Sequence, residues 1–277
     1  MMKKEKSKKK SLVIMYIILG ISIAGILTFG IWLGVDHYLD RQSQNFYTSI
    51  VEGIEIRPRS SGSRAVAQSP AENGDESSVV RSSDEVREGD WVSFVDFDEL
   101  AQRFSGIIGW IRLEGTAINY PIMQGADNSF FLYHLPDGTR HRSGSIFMDF
   151  RNAPDFSDRN TILYGHMSRT DDMFGALKHF RRQEFYDANY VMYIHTPERD
   201  YQLVIFAVHL VNSAVEQPRI TFRDDEHFSE YLSDIRGRSM VSSDVEVSVD
   251  DKIVTLATCA YDFTNARLVV IGKLVPF

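Results

Sequence analysis

The chain has 277 residues, 43% hydrophobic and 25% charged, with 30 Lys and Arg against 38 Asp and Glu. That is the balance of an ordinary globular protein of one large or two small domains, and a formal net charge of −8 argues against a nucleic-acid binder. A single cysteine, Cys259, excludes an intrachain disulfide framework and any multi-cysteine zinc site; the eight histidines form no HExxH, and GxGxxG and P-loop sequences are absent.

The charge is unevenly distributed. Residues 1–11 hold six Lys and one Glu, while the remainder holds 24 basic and 37 acidic residues. From Leu12 to Val35 run 24 residues without a charge. About 20 apolar residues span a bilayer as a helix, so 12–35 is expected to be a membrane span. The lysines make 1–11 a cytoplasmic tail and put the bulk of the chain outside. A cleaved signal peptide would have a shorter apolar core and a small-residue cleavage site. Gly34-Val35-Asp36-His37-Tyr38 is a poor one, so the segment is expected to stay as an uncleaved signal-anchor. Asp36–Ile56 can continue as a polar helix. Beyond it no aromatic residue occurs between Thr48 and Asp90, and Arg57–Glu88 contains eight Ser. Such a stretch buries too little apolar surface to offset its ordering entropy, so 36–90 reads as a juxtamembrane helix followed by a flexible stalk.

From 91 to 277 the texture is that of a packed domain. Asp96–Phe104 reads as a short helix. Ile107–Leu113, Ala117–Met123, Ser145–Phe150, Thr161–Tyr164, Tyr190–His195, Tyr201–Val211, Lys252–Thr258 and Leu268–Leu274 are rich in Val, Ile, Tyr and Phe and are separated by turn residues, which predicts eight strands. Helices are expected at Asp172–Phe180 and Asp224–Arg236, the latter with Phe228, Tyr231, Leu232 and Ile235 on one side. Eight short strands with few helices predict a mainly β fold, a largely antiparallel barrel.

Three residues in this domain suggest chemistry. Cys259 ends a strand, where a thiolate could serve as a nucleophile; taken alone, a cysteine is more often a small buried hydrophobe. His166 follows Tyr164-Gly165 at another strand end, and its pKa range suits general acid–base work; taken alone, an exposed or backbone-bonded histidine is the commoner case. Arg267 opens the last strand, with seven residues, 260–266, separating it from Cys259. If the two strands are neighbours, it is a fixed cation for an oxyanion; the plainer alternative is a surface arginine paired with Asp262.

Together these residues resemble a known family, the class B sortases. Thr255-Leu256-Ala257-Thr258-Cys259 with Arg267 matches the TLxTC…R pattern, and Tyr164-Gly165-His166 followed by Met173-Phe174 matches the YGH segment. Gly109–Leu113, Tyr120–Gly125 with Asp127-Asn128, and Gly144–Asp149 look like class B blocks, and the helix between the sixth and seventh strands resembles the class B insertion. The resemblance implies the eight-stranded sortase β-barrel and cysteine transpeptidation without metal or organic cofactor. Its substrates would be secreted proteins bearing a C-terminal sorting signal of the NPxTx type. The acceptor would be an amino group of a peptidoglycan precursor. Cys259 would form the thioacyl intermediate, His166 would move the proton and Arg267 would hold the oxyanion. Asn119, Met123, Tyr164 and Ile220 are candidate substrate contacts, against core or strand-face packing as the alternative, and the Ala260 N–H is a second oxyanion donor candidate. One position departs from the pattern: Ala257 stands where class B enzymes usually carry Ser, which bears on signal preference. A pilin polymerase, a membrane-anchored cysteine peptidase and a stalked binding module are the competing readings. The last gives no reason for the three residues to occur together.

Overall fold

A computed structural model of the chain describes residues 2–53, 57–58, 93–168, 170–259, 262 and 264–276, with side chains of 2–14, 57–58, 93–94 and 259 outside the description. The chain divides into two compact units, Met1–Ile50 and Val51–Phe277.

In the first unit a single helix, α1 (Met2–Gly53), runs without a break through the apolar segment and the polar stretch that follows it. Ile17, Ile21, Ile26, Phe29 and Trp32 are all more than half exposed. A 24-residue apolar stretch rises about 36 Å as a helix, more than the roughly 30 Å of a hydrocarbon core. This is the one helix among the described residues long and apolar enough to cross a membrane. The expected stalk falls almost wholly on 59–92, outside the described residues. Its flanks Arg57–Pro58 and Ser93–Phe94 pair antiparallel.

In the second unit α2 (Phe97–Arg103) follows that strand pair. The Asp96 carboxylate caps it by accepting the Glu99 N–H at 2.9 Å, and Leu100 is its buried residue. Eight strands follow: β1 (Ile107–Arg112), β2 (Asn119–Met123), β3 (Ile146–Met148), β4 (Asn160–Tyr164), β5 (Val191–His195), β6 (Asp200–Asn212), β7 (Lys252–Cys259) and β8 (Ala266–Pro276). All eight expected strands are present, with ends within two residues of those read from the sequence. They close into a barrel in the order β8-β6-β5-β1-β2-β3-β4-β7.

Six of the eight joins are antiparallel; β2–β3 and β4–β7 are parallel. The β4–β7 join matters most, because parallel neighbours carry their C-terminal ends to the same rim. Tyr164 pairs with Ala257, and the Gly165 N–H donates to the Ala257 carbonyl at 3.2 Å.

Outside the barrel, α4 (Asp225–Gly237) lies in sequence between β6 and β7. Asp224 caps it through the His227 N–H at 2.8 Å. Its Phe228, Leu232 and Ile235 pack with Phe206 and Ala207 of β6, Ile253 of β7 and Ile271 of β8. Covering both faces of these strands removes the in–out alternation from their sequences. The expected helix at Asp172–Phe180 is corrected to a 3-10 helix, Gly175–Arg181. Met173 holds a left-handed backbone (φ 53) and donates its N–H to the Tyr120 hydroxyl at 3.0 Å, so helical dihedrals cannot begin before it. A further short helix, α3 (Gln183–Asn189), follows directly; its Tyr186 hydroxyl donates to the Ile205 carbonyl at 3.0 Å.

One buried histidine makes the barrel wall sensitive to acid. His209 of β6 is 3% exposed and its Nδ1 has no partner. Burial lowers its pKa to about 4, and the nearby Arg238 guanidinium adds to the effect against Glu216 and Asp234. Arg238 itself is clamped between Glu216 (2.8 and 2.9 Å) and Asp234 (2.7 Å). Between about pH 6.5 and 4 the unfolded chain binds a proton at 209 that the folded chain does not. Stability is therefore expected to fall by about 3 kcal/mol as pH drops through that window. Denaturant titrations of wild type and His209→Leu at pH 7 and pH 5 check this: the variant should lose less stability between the two.

Candidate active site

Two strand ends and one strand start build the site. β7 ends at Cys259, and antiparallel register sets Arg267 of β8 directly across from it. β4 lies on the other side of β7, and two residues beyond the Tyr164–Ala257 pair the chain reaches His166. Positions 166, 259 and 267 therefore meet at one rim on three consecutive strands, β4-β7-β8.

Local packing fixes His166. Gly165 must be glycine, because a Cβ there would meet Ile146 Cδ1 at 2.5 Å and Phe174 Cδ2 at 2.7 Å, both from fully buried side chains. The Phe174 N–H donates to the His166 carbonyl at 3.2 Å. On the ring, Nε2 lies 2.7 Å from the Leu132 carbonyl. A carbonyl only accepts, so Nε2 carries a hydrogen, and in the neutral ring Nδ1 is the acceptor. Half-exposed Tyr133 stands 6.2 Å from the imidazole, centroid to centroid. Gly165→Ala is expected to cost about 1–3 kcal/mol through overpacking. Displacing His166 should also slow turnover about tenfold or more. A thermal scan and a rate measurement on the same sample check both.

Arg267 is half-buried, and its guanidinium carbon lies 5.9 Å from the centre of the Tyr164 ring. The alternative pairing with Asp262 is not what forms: Arg181 takes that carboxylate through two hydrogen bonds, at 2.7 and 3.3 Å. Tyr164 packs over Val211, Ala257 and Val269. Ala257 is 1% exposed, so the residue two before the cysteine is part of the packed wall and offers no hydroxyl.

Beneath Tyr164 lies a buried carboxylate that sequence reading assigned no role. Its hydroxyl donates to Asp149 Oδ2 at 3.1 Å, and Arg151 grips the same carboxylate at 2.9 and 2.8 Å. Burial pushes the Asp149 carboxyl up, but the bonds from Arg151 and Asn128 hold it below the usual carboxylate value. Burial also raises the Tyr164 phenol, with Asp149 adding to the rise, so it stays protonated and remains a donor.

The remaining candidates separate. Asn119 starts β2 toward the His166 rim, and its Oδ1 accepts the Trp110 Nε1–H at 2.7 Å. Met123 is fully buried, in register with Ile107 and Phe147, on the same strand as Asn119. Ile220 is half-buried, in the connection between β6 and α4. It follows Arg219, whose carbonyl accepts from Asn160 at the opposite end of β4, about 20 Å of strand away from His166. Ala260 lies outside the described residues. Sequence reading missed the Leu132 carbonyl, since a backbone acceptor leaves no side-chain signature. It also missed Tyr133, whose signal is an exposed aromatic beside the histidine.

A closed eight-stranded barrel with a histidine, a cysteine and an arginine at one rim has the parts of a cysteine acyl-transfer enzyme. Residues 111–275 match the sortase domain family. Sortase B of Staphylococcus aureus is 36% identical over 181 residues, covering 65% of this chain and 74% of that one. Sortase B of Listeria monocytogenes is 35% identical over 171 residues, covering 61% and 70%. A Staphylococcus aureus sortase B–substrate complex superposes with a TM-score of 0.62 at 35% identity, covering 65% of this chain and 84% of that one. The chain belongs to the sortase family, in class B. It is a cysteine transpeptidase.

Proposed function

We propose that this sortase is held in the membrane by residues 12–35, with 1–11 cytoplasmic and residues 91–277 outside as the catalytic domain, and that it attaches secreted proteins to the cell wall. Its substrates carry a C-terminal NPxTx-like signal, and its acceptor is an amino group of a lipid-linked peptidoglycan precursor. The observation that supports the chemistry best is the β4-β7-β8 register, which brings positions 166, 259 and 267 to one rim.

In this reading the Cys259 thiolate attacks the carbonyl carbon of the signal's Thr. The resulting oxyanion is held by Arg267, whose fork of N–H donors suits a developing negative oxygen. The tetrahedral intermediate collapses as His166, in its imidazolium form, protonates the departing amine. This leaves a thioester on Cys259 and neutral His166. The acceptor amine then attacks the thioester, His166 takes its proton, and the amide product leaves a thiolate behind. The proton lost with the leaving amine is replaced by the one taken from the acceptor, so His166 and Cys259 end in the states they began in. Asn119, Met123, Tyr164 and Ile220 remain candidate substrate contacts, and the Ala260 N–H a candidate second donor to the oxyanion.

The test offers the full-length protein, in detergent, a panel of NPxTx and LPxTG peptides with amines that mimic cell-wall cross-bridges, read by mass spectrometry. Cleavage after Thr with a new amide to a cross-bridge mimic is the expected product. Free acid alone would point to a peptidase, and amide formation only with a lysine of a pilin subunit would point to a pilus assembly enzyme.

A further inference from the structure

We propose that Asp149 is a positioning residue for both halves of the site, its buried carboxylate joining the segment that orients His166 to the ring that supports Arg267. The assignment deepens the transpeptidase reading and rests on it for what His166 and Arg267 do.

A carboxylate with no exposed surface is costly unless its oxygens are satisfied. Asp149 follows β3, and its carboxylate accepts five hydrogen bonds. Three come from Arg151: the backbone N–H at 3.0 Å, Nε at 2.9 Å and Nη2 at 2.8 Å. Those three already supply a neutralising partner and a local turn. The other two come from elsewhere in the chain, and each leads to the site.

The first is the Asn128 amide, which donates to Oδ2 at 3.0 Å while its own oxygen accepts the Phe150 N–H at 3.0 Å. Asn128 is thus gripped at both ends. The chain beyond it is a compact turn: the Asp127 carboxylate accepts the N–H groups of Ser129 and Phe130 at 2.7 and 2.8 Å, and the Tyr133 N–H donates to the Phe130 carbonyl at 3.1 Å. Within that turn lies the Leu132 carbonyl that receives His166 Nε2–H. A shift of Asn128 therefore moves the atom that sets the histidine tautomer.

The second donor is the Tyr164 hydroxyl, at 3.1 Å from the same Oδ2. Its ring is the one Arg267 lies against, and its backbone is two residues from His166. Fixing the phenol oxygen fixes the ring plane, and with it one side of the arginine. Asn128 and Tyr164 have no hydrogen bond to one another among the described contacts, so their common partner is the Asp149 oxygen.

The experiment uses the full-length protein in detergent, with Asn128→Ala, Tyr164→Phe, Asp149→Asn and the double variant Asp149→Asn/Tyr164→Phe. Peptide turnover is followed alongside nitrogen-15 NMR of the His166 ring. Asn128→Ala and Tyr164→Phe should each lower kcat about tenfold, with KM changed less than about twofold. In the Asp149→Asn background, Tyr164→Phe should add less than about a twofold loss, because the shared acceptor is already altered. At high pH the wild-type ring should carry its proton on Nε2, and Asn128→Ala should move the population toward the Nδ1–H form. A scaffold role alone predicts activity losses that track the folded fraction, additive effects and an unchanged tautomer, and those results would overturn the proposal. Should Asp149→Asn not fold, Asn128→Ala and Tyr164→Phe decide the matter through the kcat–KM split and the ring signal. The ring signal needs no substrate, so a wild type that cleaves no peptide would count against the transpeptidase reading while the coupling to His166 is still decided.

Discussion

Cys259→Ala is expected to abolish peptide cleavage and amide formation, a loss of roughly 10⁴-fold or more, while leaving the fold intact. The two expectations have different origins. The first follows from nucleophilic catalysis: without the sulfur there is no thioester to carry the acyl group between donor and acceptor. The second follows from backbone pairing. Position 259 is held by its strand register with Arg267, and Ala257 two residues earlier is packed with Val211 and Val269, so the end of β7 stays in place without the thiol. Near-ultraviolet circular dichroism and a thermal scan should therefore match wild type closely. Product formation, followed by mass spectrometry over long incubation, should stay at background.

The second large effect concerns Arg267. Arg267→Ala is expected to lower kcat/KM by about 10²–10³, the usual loss when one donor to a tetrahedral oxyanion is removed. The contact with Tyr164 adds a ground-state component, since a guanidinium on an aromatic face is stabilised by about 0.5–2 kcal/mol. Arg267→Lys separates charge from geometry. It keeps the cation but loses the planar fork, so it should recover only part of the activity, about tenfold below wild type. Steady-state kinetics at saturating acceptor check this series. Equal activity of the lysine and arginine forms would reduce the residue's role to charge alone.

These expectations draw on features that differ in how far they can be read from the chain itself. The eight strands are legible because each is a short apolar run closed by Gly, Asp, Asn or Pro, and α2 and α4 because Asp96 and Asp224 announce their first turns. What could not be read is the pairing. Whether β4 neighbours β7, and in which direction, is decided by closure of the whole barrel, and no local pattern in Asn160–Tyr164 reports it. The same gap leaves the sequence unable to say what Met123 and Ile220 face. Met123 sits in a strand buried on both faces, so its sequence carries no alternation to say which way it looks, and Ile220 belongs to a connection whose route along β4 is set by Asn160. The helix expected at Asp172 failed for a local reason: Met173 takes a left-handed backbone that an ordinary residue adopts only when held, here by the Tyr120 hydroxyl.

The site shows the same division. Three side chains with distinctive chemistry, His166, Cys259 and Arg267, stand out in the sequence by type and by spacing. Their supports do not. The Leu132 carbonyl has no residue signature, and Asp149 and Asn128 read as ordinary polar residues until the fold brings their oxygen and nitrogen to 3.0 Å.

The central claim is that acyl transfer passes through a thioester on Cys259, and it can be tested without knowing the acceptor. The full-length protein is mixed with an NPxTx peptide in the absence of any amine, quenched with acid, and its intact mass is recorded before digestion and mapping. The account predicts a mass increase equal to the peptide fragment ending at Thr less one water, carried by the Cys259 peptide and removed by hydroxylamine. Cleavage of the peptide with no adduct at any time point, or with the adduct on another residue, would contradict it.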